Sequence, residues 1–345
     1  MAESLGSTPR DIAAAWIAGC EVVARIARSY PQLSSNGGWH GAGVVGAMAS
    51  AAAFAKLAKA PAETIPAIIG IAASTASGIG VNFGTMTKPL HAGLAARSGL
   101  LAVELGRRGF TASPQAIDGP GGFLQVFGRG LATDPAPFAD LGRTFNLIDP
   151  GYRLKPYACG GLLHSGIEAA LDLKERLGAR IDAIERIEIG VGPHAAARAI
   201  GDYPTTEDSA RFSLAYLAAY ALLEGAPMRR AFTEEGYGDA RIKALAEKVV
   251  AGIDPEFAKI TGSGYSPSRL RVHLRGGEIL ESLCDESPGS RKKPLGEARI
   301  REKFLSCAEP VIGDAAADLY GYLQGFAGQT TCGDLWSLLY PTDTV

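Results

Sequence analysis

From Thr64 to Thr87 the chain runs for 24 residues without a charged side chain, and the residues filling that run limit how it can fold. A stretch of this length could cross a bilayer. It contains Pro66, four glycines and many Ser and Thr residues, however, and its apolar content is mostly Ala and Ile. Small residues let helices approach closely inside a protein, so the run reads as the interior of a helical domain and not as a membrane span.

The surrounding sequence has the same Ala-rich, helical texture from Asp11 to about Arg108. Ile12, Trp16, Cys20, Val23 and Ile26 recur at spacings of three and four, and Glu21 and Arg25 form an i,i+4 pair. Residues 43–59 and 65–79 carry so little charge that helices there must be buried on most sides. Leu90, Leu94, Leu101 and Leu105 fall on one face of a further helix. Pro89 can begin it and Arg107-Arg108-Gly109 closes it.

After Tyr152 the texture changes. A helix over about 161–177 precedes Ile187, Ile189 and Val191, which alternate as in a half-buried strand. Thr205 or Thr206 can cap a helix running to Glu224 and ending at Gly225. Leu270, Val272 and Leu274 alternate again before Gly276-Gly277 turns into Glu278-Ile279-Leu280, a hairpin pattern. Residues 287–294 are polar and Pro-containing, as an exit linker would be, and helical patterns resume at 296–307 and 313–326. The fold class is therefore mainly α: a large, discontinuous all-helical domain (1–152 and 284–345) with a smaller α+β domain (153–283) inserted into it.

Bulk properties exclude some partners. The net charge of −2 offers no nucleic-acid or anionic-membrane surface. Five cysteines, odd in number and scattered, show no zinc-ligand or redox spacing; they read as reduced thiols of a cytoplasmic protein. The first residues lack the basic-then-apolar layout of a signal peptide.

Few residues could carry chemistry. Lys88 sits against Pro89 at the positive end of a helix dipole, where a cation is unfavourable by a few tenths to about 1 kcal/mol. A lysine and free backbone N–H groups converging there suit a bound anion; the alternative is a solvated loop lysine. There are five histidines. His40 lies in a Gly-rich stretch that either admits a ligand to the backbone or is an ordinary loop. His164 lies near a helix start, as a functional or a packed, capping residue. His194 and His273 read as structural or solvated. No paired histidines or adjacent carboxylates suggest a metal. Gly119-Pro120-Gly121-Gly122 and Gly160-Gly161 match neither a Walker loop nor a dinucleotide fingerprint, and no Gly-x-Ser-x-Gly elbow is present.

Gly84-Thr85-Met86-Thr87-Lys88-Pro89-Leu90-His91-Ala92-Gly93 resembles the signature of the MmgE/PrpD family, which includes 2-methylcitrate dehydratase, cis-aconitate decarboxylase and iminodisuccinate epimerase. Similar matches follow in the family's order: the Gly-rich His40 segment, Lys155-Pro156-Tyr157-Ala158-Cys159 with His164, and Ala210-Arg211-Phe212-Ser213 leading to Leu222-Leu223-Glu224-Gly225. The resemblance covers about residues 10–310. It implies a helical domain with an inserted lid domain, a homodimer, and chemistry without cofactor or metal on a small di- or tricarboxylic acid. By motif, His40, Lys88 and His164 match catalytic positions, and Thr87, Lys88, His91 and Arg198 are expected to bind substrate.

The chain also departs from the pattern. Gly41-Ala42 follows His40 where Pro-Thr is expected, and a tyrosine is expected near Arg198 in the decarboxylase branch. Family members begin with a further helical segment that brings an Asp and a His to the site, and this chain is expected to start after it.

The residues themselves suit proton transfer beside a carboxylate. Lys88 would anchor the carboxylate or shift down in pKa, and His40 and His164 would act as base and acid. Fixed donors would stabilise the enolate-like charge. Loss of water, as in a 2-methylcitrate dehydratase-like lyase, is the first expectation. Loss of carbon dioxide and epimerisation are alternatives, as are carboxylate binding without turnover and a helical interaction protein.

Overall fold

The computed structural model describes residues 1–30, 38–129, 134–199, 202–260 and 267–340. It divides into two compact units, Met1–Tyr152 with Ala308–Val345, and Arg153–Cys307. The second unit thus runs to Cys307, beyond the exit expected at residue 283. The reason is local: Arg299 bonds to Tyr157 and Glu168, and Lys303 to the Lys155 carbonyl, which ties the helix Glu297–Ile312 back to residues 155–168.

The first unit is helical: α1 (Pro9–Ser29), α2 (Gly46–Leu57), α3 (Ile65–Ser74) and α4 (Thr87–Gly106) form its body. A capping box fixes the start of α1. The Thr8 side chain accepts from the Asp11 N–H, and Asp11 accepts from the Thr8 N–H. The charge-free run is broken into α3, of 10 residues, and a series of turns. Among the described residues no helix is long and apolar enough to cross a membrane.

The leucine stripe does not face the core. On α4 the buried residues are His91, Ala95, Gly99, Ala102, Val103 and Gly106, whereas Leu90 and Leu101 are 53% and 49% exposed. On α1, likewise, Ala15, Gly19 and Ile26 are buried and Trp16 is 58% exposed. The faces that pack are those whose small residues allow the closest approach. A Cβ on Gly99 would lie 2.6 Å from the Ala51 backbone nitrogen of α2, so only glycine lets α4 and α2 come this near.

The Glu21–Arg25 pair exists, but it is buried. Arg25 Nε donates to Glu21 at 2.6 Å, and its remaining N–H groups reach Asp140 and the carbonyls of Pro137 and Thr144. Asn146 donates to both Glu21 oxygens. Every strong donor and acceptor at this point therefore has a partner, which is the condition for keeping charge inside.

In the second unit, α5 (His164–Leu177) and α6 (Leu214–Leu223) contribute to one apolar core with a four-stranded sheet. The strands are β1 (Ile184–Val191), β2 (Val249–Ile253), β3 (Ser268–Leu274) and β4 (Ile279–Cys284), in the order β2-β1-β3-β4. β1 is parallel to β2 and antiparallel to β3, and β3 and β4 form the expected hairpin. Ile187, Ile189, Val191, Leu270, Val272 and Leu274 are buried, while Arg186, Glu188, Arg269, Arg271 and Glu281 cover the other face with ion pairs.

The helix expected from Thr206 to Glu224 is two. Thr206 caps a short turn, Glu207–Ala210, and Ser213 caps α6 by accepting from the Tyr216 N–H. All five cysteines are free thiols.

Candidate active site

In the first unit, two glycine-rich segments clip together around His40. The His40 N–H donates to the Gly78 carbonyl at 2.9 Å, and the Gly80 N–H donates to the Gly38 carbonyl at 2.6 Å. The bridge between Trp39 and Ile79 lies between these bonds. The backbone of His40 is therefore fixed although it lies in a segment that reads as a loop.

Its ring meets α4. Lys88 and His91 are three residues apart in the first turns of α4, a spacing that sets side chains on neighbouring parts of one face. His40 Nδ1 lies 3.0 Å from His91 Nδ1. The Phe83 ring packs edge-on against His40 at 5.1 Å between centroids, and Lys88 Nζ lies 5.6 Å from the centre of the same ring. Burial, with Lys88 and His91 nearby, pushes the His40 pKa down to about 4. His40 is consequently neutral at pH 7, with a ring nitrogen able to take a proton.

The backbone N–H groups expected to be free at the start of α4 are engaged. Thr87 N–H donates to the Thr85 hydroxyl, Lys88 N–H to the Thr85 carbonyl and Leu90 N–H to the Met86 carbonyl. Attraction for an anion at this point therefore rests on the Lys88 ammonium and the helix dipole more than on vacant donors. Thr87 is exposed. His91 is only 6% exposed, and it touches His40 from the protein side.

In the second unit, His164 begins α5 and is 2% exposed. Tyr157 packs on it edge to face at 5.3 Å, and it has a hydrogen bond with the Cys159 backbone. Its Nε2 is buried and has no hydrogen-bond partner among the described residues. Burial, then the Lys155 charge, pushes its pKa down to about 3. A buried ring nitrogen without a partner is rare, and one beside cations is a place for a ligand atom.

The cations that act on His164 are Lys155, Lys303 and Arg153, while Arg211 and Arg299 bond to neighbouring residues of the same unit. Lys155 donates to the Cys159 carbonyl, Arg211 to the Ala158 carbonyl, and Lys303 to the Lys155 carbonyl. Arg299 donates to Tyr157 Oη at 2.9 Å and to Glu168 at 3.1 Å. Burial lowers the Lys303 pKa, while the Cys159 thiol is pushed up to about 12 by burial and is inert. Arg198 is half-buried in the same unit, with Nη1 at 3.1 Å from His194 Nδ1, and burial lowers its pKa.

The structure thus brings together His40, His91 and Lys88 in one unit, and describes His164 and Arg198 in the other. None of the cations near His164 was expected as a site residue from sequence. Lys155 and Arg211 stand in motifs that carried a signal. Lys303 lies in a segment assigned to the other domain, and nothing in its spacing points to His164. Among the described residues no group of three or more His, Cys, Asp or Glu side chains is placed to hold a metal ion.

Comparison with known proteins fits this arrangement of two units. Residues 1–135 match the MmgE/PrpD N-terminal domain and residues 157–319 the MmgE/PrpD C-terminal domain. The chain belongs to the MmgE/PrpD family. It is 28% identical to a cis-aconitate decarboxylase of Aspergillus terreus over 327 residues, which cover 88% of this chain and 65% of that protein. It is 25% identical to the cis-aconitate decarboxylases of Homo sapiens and Mus musculus, across 98% of this chain and 72% and 71% of theirs. The chain therefore spans about two thirds of the length of these curated relatives.

Proposed function

We propose that this chain is a lyase acting on a small di- or tricarboxylic acid by proton transfer, without a cofactor. The observation that carries this reading is the neutral His40, fixed by the Gly38–Gly80 clip and held against His91, with the Lys88 ammonium beside it. In this reading His40 removes a proton from the carbon next to a carboxylate. Lys88 neutralises the enolate-like charge that develops, a role in which a preplaced cation is most effective away from bulk water. In an elimination of water His164 protonates the leaving hydroxyl; in a decarboxylation no C–H proton is removed, and His164 protonates the allylic carbon that receives the electron pair when carbon dioxide departs. A bound polyanion beside it would stabilise its imidazolium and lift its pKa from about 3 towards neutrality. Thr87 in the first unit and Arg198 in the second would be further substrate contacts.

The names of the relatives make loss of carbon dioxide from cis-aconitate the first reaction to test. Elimination of water from a 2-methylcitrate-like acid is the finer alternative the motif suggests. The homodimer and the cytoplasmic setting belong to the same reading.

The test is NMR detection of products from cis-aconitate and 2-methylcitrate with the wild-type chain and the variants Lys88→Ala, His40→Gln and His164→Gln. Losing one general acid or base should lower kcat about 10²–10⁴-fold. Turnover undiminished in all three variants would overturn the assignment. Calorimetric binding of these acids with no product would make the chain a carboxylate-binding protein instead.

A further inference from the structure

We propose that His91 is a positioning residue: it accepts a hydrogen bond from His40 Nδ1–H and thereby keeps His40 in the tautomer whose Nε2 is bare. This rests on the reading of His40 as the base. Two imidazole Nδ1 atoms 3.0 Å apart require a single proton between them, since two lone pairs or two N–H groups would repel.

Neither ring is free to leave this contact. His40 is tied through its backbone to Gly78. His91 is buried, and two glycines close over it. A Cβ on Gly78, whose φ is +125°, would lie 3.3 Å from Cγ and Nδ1 of the His91 ring. A Cβ on Gly43 would lie 3.2 Å from His91 Cβ and 2.4 Å from the Ser77 carbonyl oxygen. Any side chain larger than hydrogen at these positions would press His91 out of line with His40.

Chemistry sets the direction of the bond. If His91 donated, the lone pair on His40 Nδ1 would be occupied and Nε2 would carry the other proton. His40 would then have no free nitrogen with which to accept. If His40 donates, Nε2 is bare and takes the substrate proton, while Nδ1–H stays on His91. The bond then passes from neutral to charge-assisted, which strengthens it as the proton arrives. His91 thus acts through His40 without touching the substrate.

The experiment is NMR of the protein with ¹⁵N-labelled histidine at neutral pH, the His40 signals being identified by their loss in His40→Gln. Long-range proton–nitrogen correlations report which ring nitrogen carries hydrogen. In the wild type, Nδ1 should be protonated and Nε2 bare. In His91→Leu, His40 should move towards the Nε2–H form that free imidazole side chains prefer in water. His91→Asn, whose side-chain oxygen can accept, should restore Nδ1–H.

With an active wild type, His91→Leu should lower kcat about 10²-fold with KM little changed, and Asn should recover most of it. A wild-type His40 in the Nε2–H form, or a tautomer unmoved in His91→Leu, would overturn the proposal. If the Leu variant fails to fold, the wild-type and Asn spectra decide alone. The tautomer measurement needs no substrate, so absence of lyase activity would count against the proposed function and leave this outcome to be read by itself.

Discussion

Replacing glycine by alanine at two positions of α4 should change stability in opposite directions. In a solvent-exposed helix interior the substitution stabilises by about 0.5–1 kcal/mol, because glycine loses more backbone freedom on folding. Gly93 is exposed and a Cβ there would meet nothing within 4 Å, so Gly93→Ala should gain this amount. Gly99 carries the same intrinsic gain and a larger penalty. Its Cβ would lie 2.5 Å from Ser50 Cβ, 2.6 Å from Ala51 N and 2.7 Å from Ser50 C, whereas ordinary contact begins at 3.4 Å. Two of the three obstacles are backbone, so α2 must retreat by roughly 1 Å along a close-packed seam, and overpacking of this kind costs about 1–3 kcal/mol. The penalty should win, leaving Gly99→Ala up to about 2 kcal/mol less stable than wild type and about 1–3 kcal/mol below Gly93→Ala. Urea unfolding followed by tryptophan fluorescence reads this unit, because Trp16, Trp39 and Trp336 all lie in it. The midpoints should move in opposite directions at similar slope. If Gly99→Ala were as stable as Gly93→Ala, the account of α4 and α2 as packed through small residues would fail.

Two other perturbations test the buried charge. Arg25→Met leaves the buried Glu21 carboxylate without its cation and should cost about 3–5 kcal/mol by the same unfolding assay, with Arg25→Lys a poor rescue because an ammonium cannot reach all four oxygen partners. His164 should make the second unit acid-sensitive: its imidazole pKa of about 3, pushed down by burial, lies below the unfolded value of 6.5. The unfolded chain then binds the proton first, so the contribution is complete above about pH 6.5 and is lost as pH falls towards 3, at up to about 1.4 kcal/mol per pH unit. Hydrogen exchange of the α5 and β3 amides at pH 7 and pH 5 should show this loss in the wild type and less of it in His164→Gln.

Much of the fold was legible because burial left a period in the sequence. Ile187, Ile189 and Val191 alternate since β1 is covered on one face only, and Leu270, Val272 and Leu274 repeat the pattern on β3. β2 gave no such signal. Among the described strands it pairs only with β1 and its residues are mostly exposed, so its place depends on an edge of β1 that only the folded unit creates. The leucines of α4 misled for a related reason: Gly and Ala add little to a hydrophobic period although they dominate the packed face. At the site, Lys88 and His91 were readable as neighbours on one helix. The His40–His91 pair was not, since its partners are 51 residues apart and meet only through the clip.

That clip also bears on how the site takes shape. It closes a loop of about 40 residues between Trp39 and Ile79, and chain entropy alone opposes such closure by about 3 kcal/mol. Its two backbone hydrogen bonds return roughly 1 kcal/mol each. Left to themselves, the two segments would stay apart. They join in the folded unit, where α2 and α3, lying between them in sequence, pack together and shorten the distance to be bridged. The histidine pair is therefore assembled by helices that contribute no group to it, and its alignment records how well they are seated.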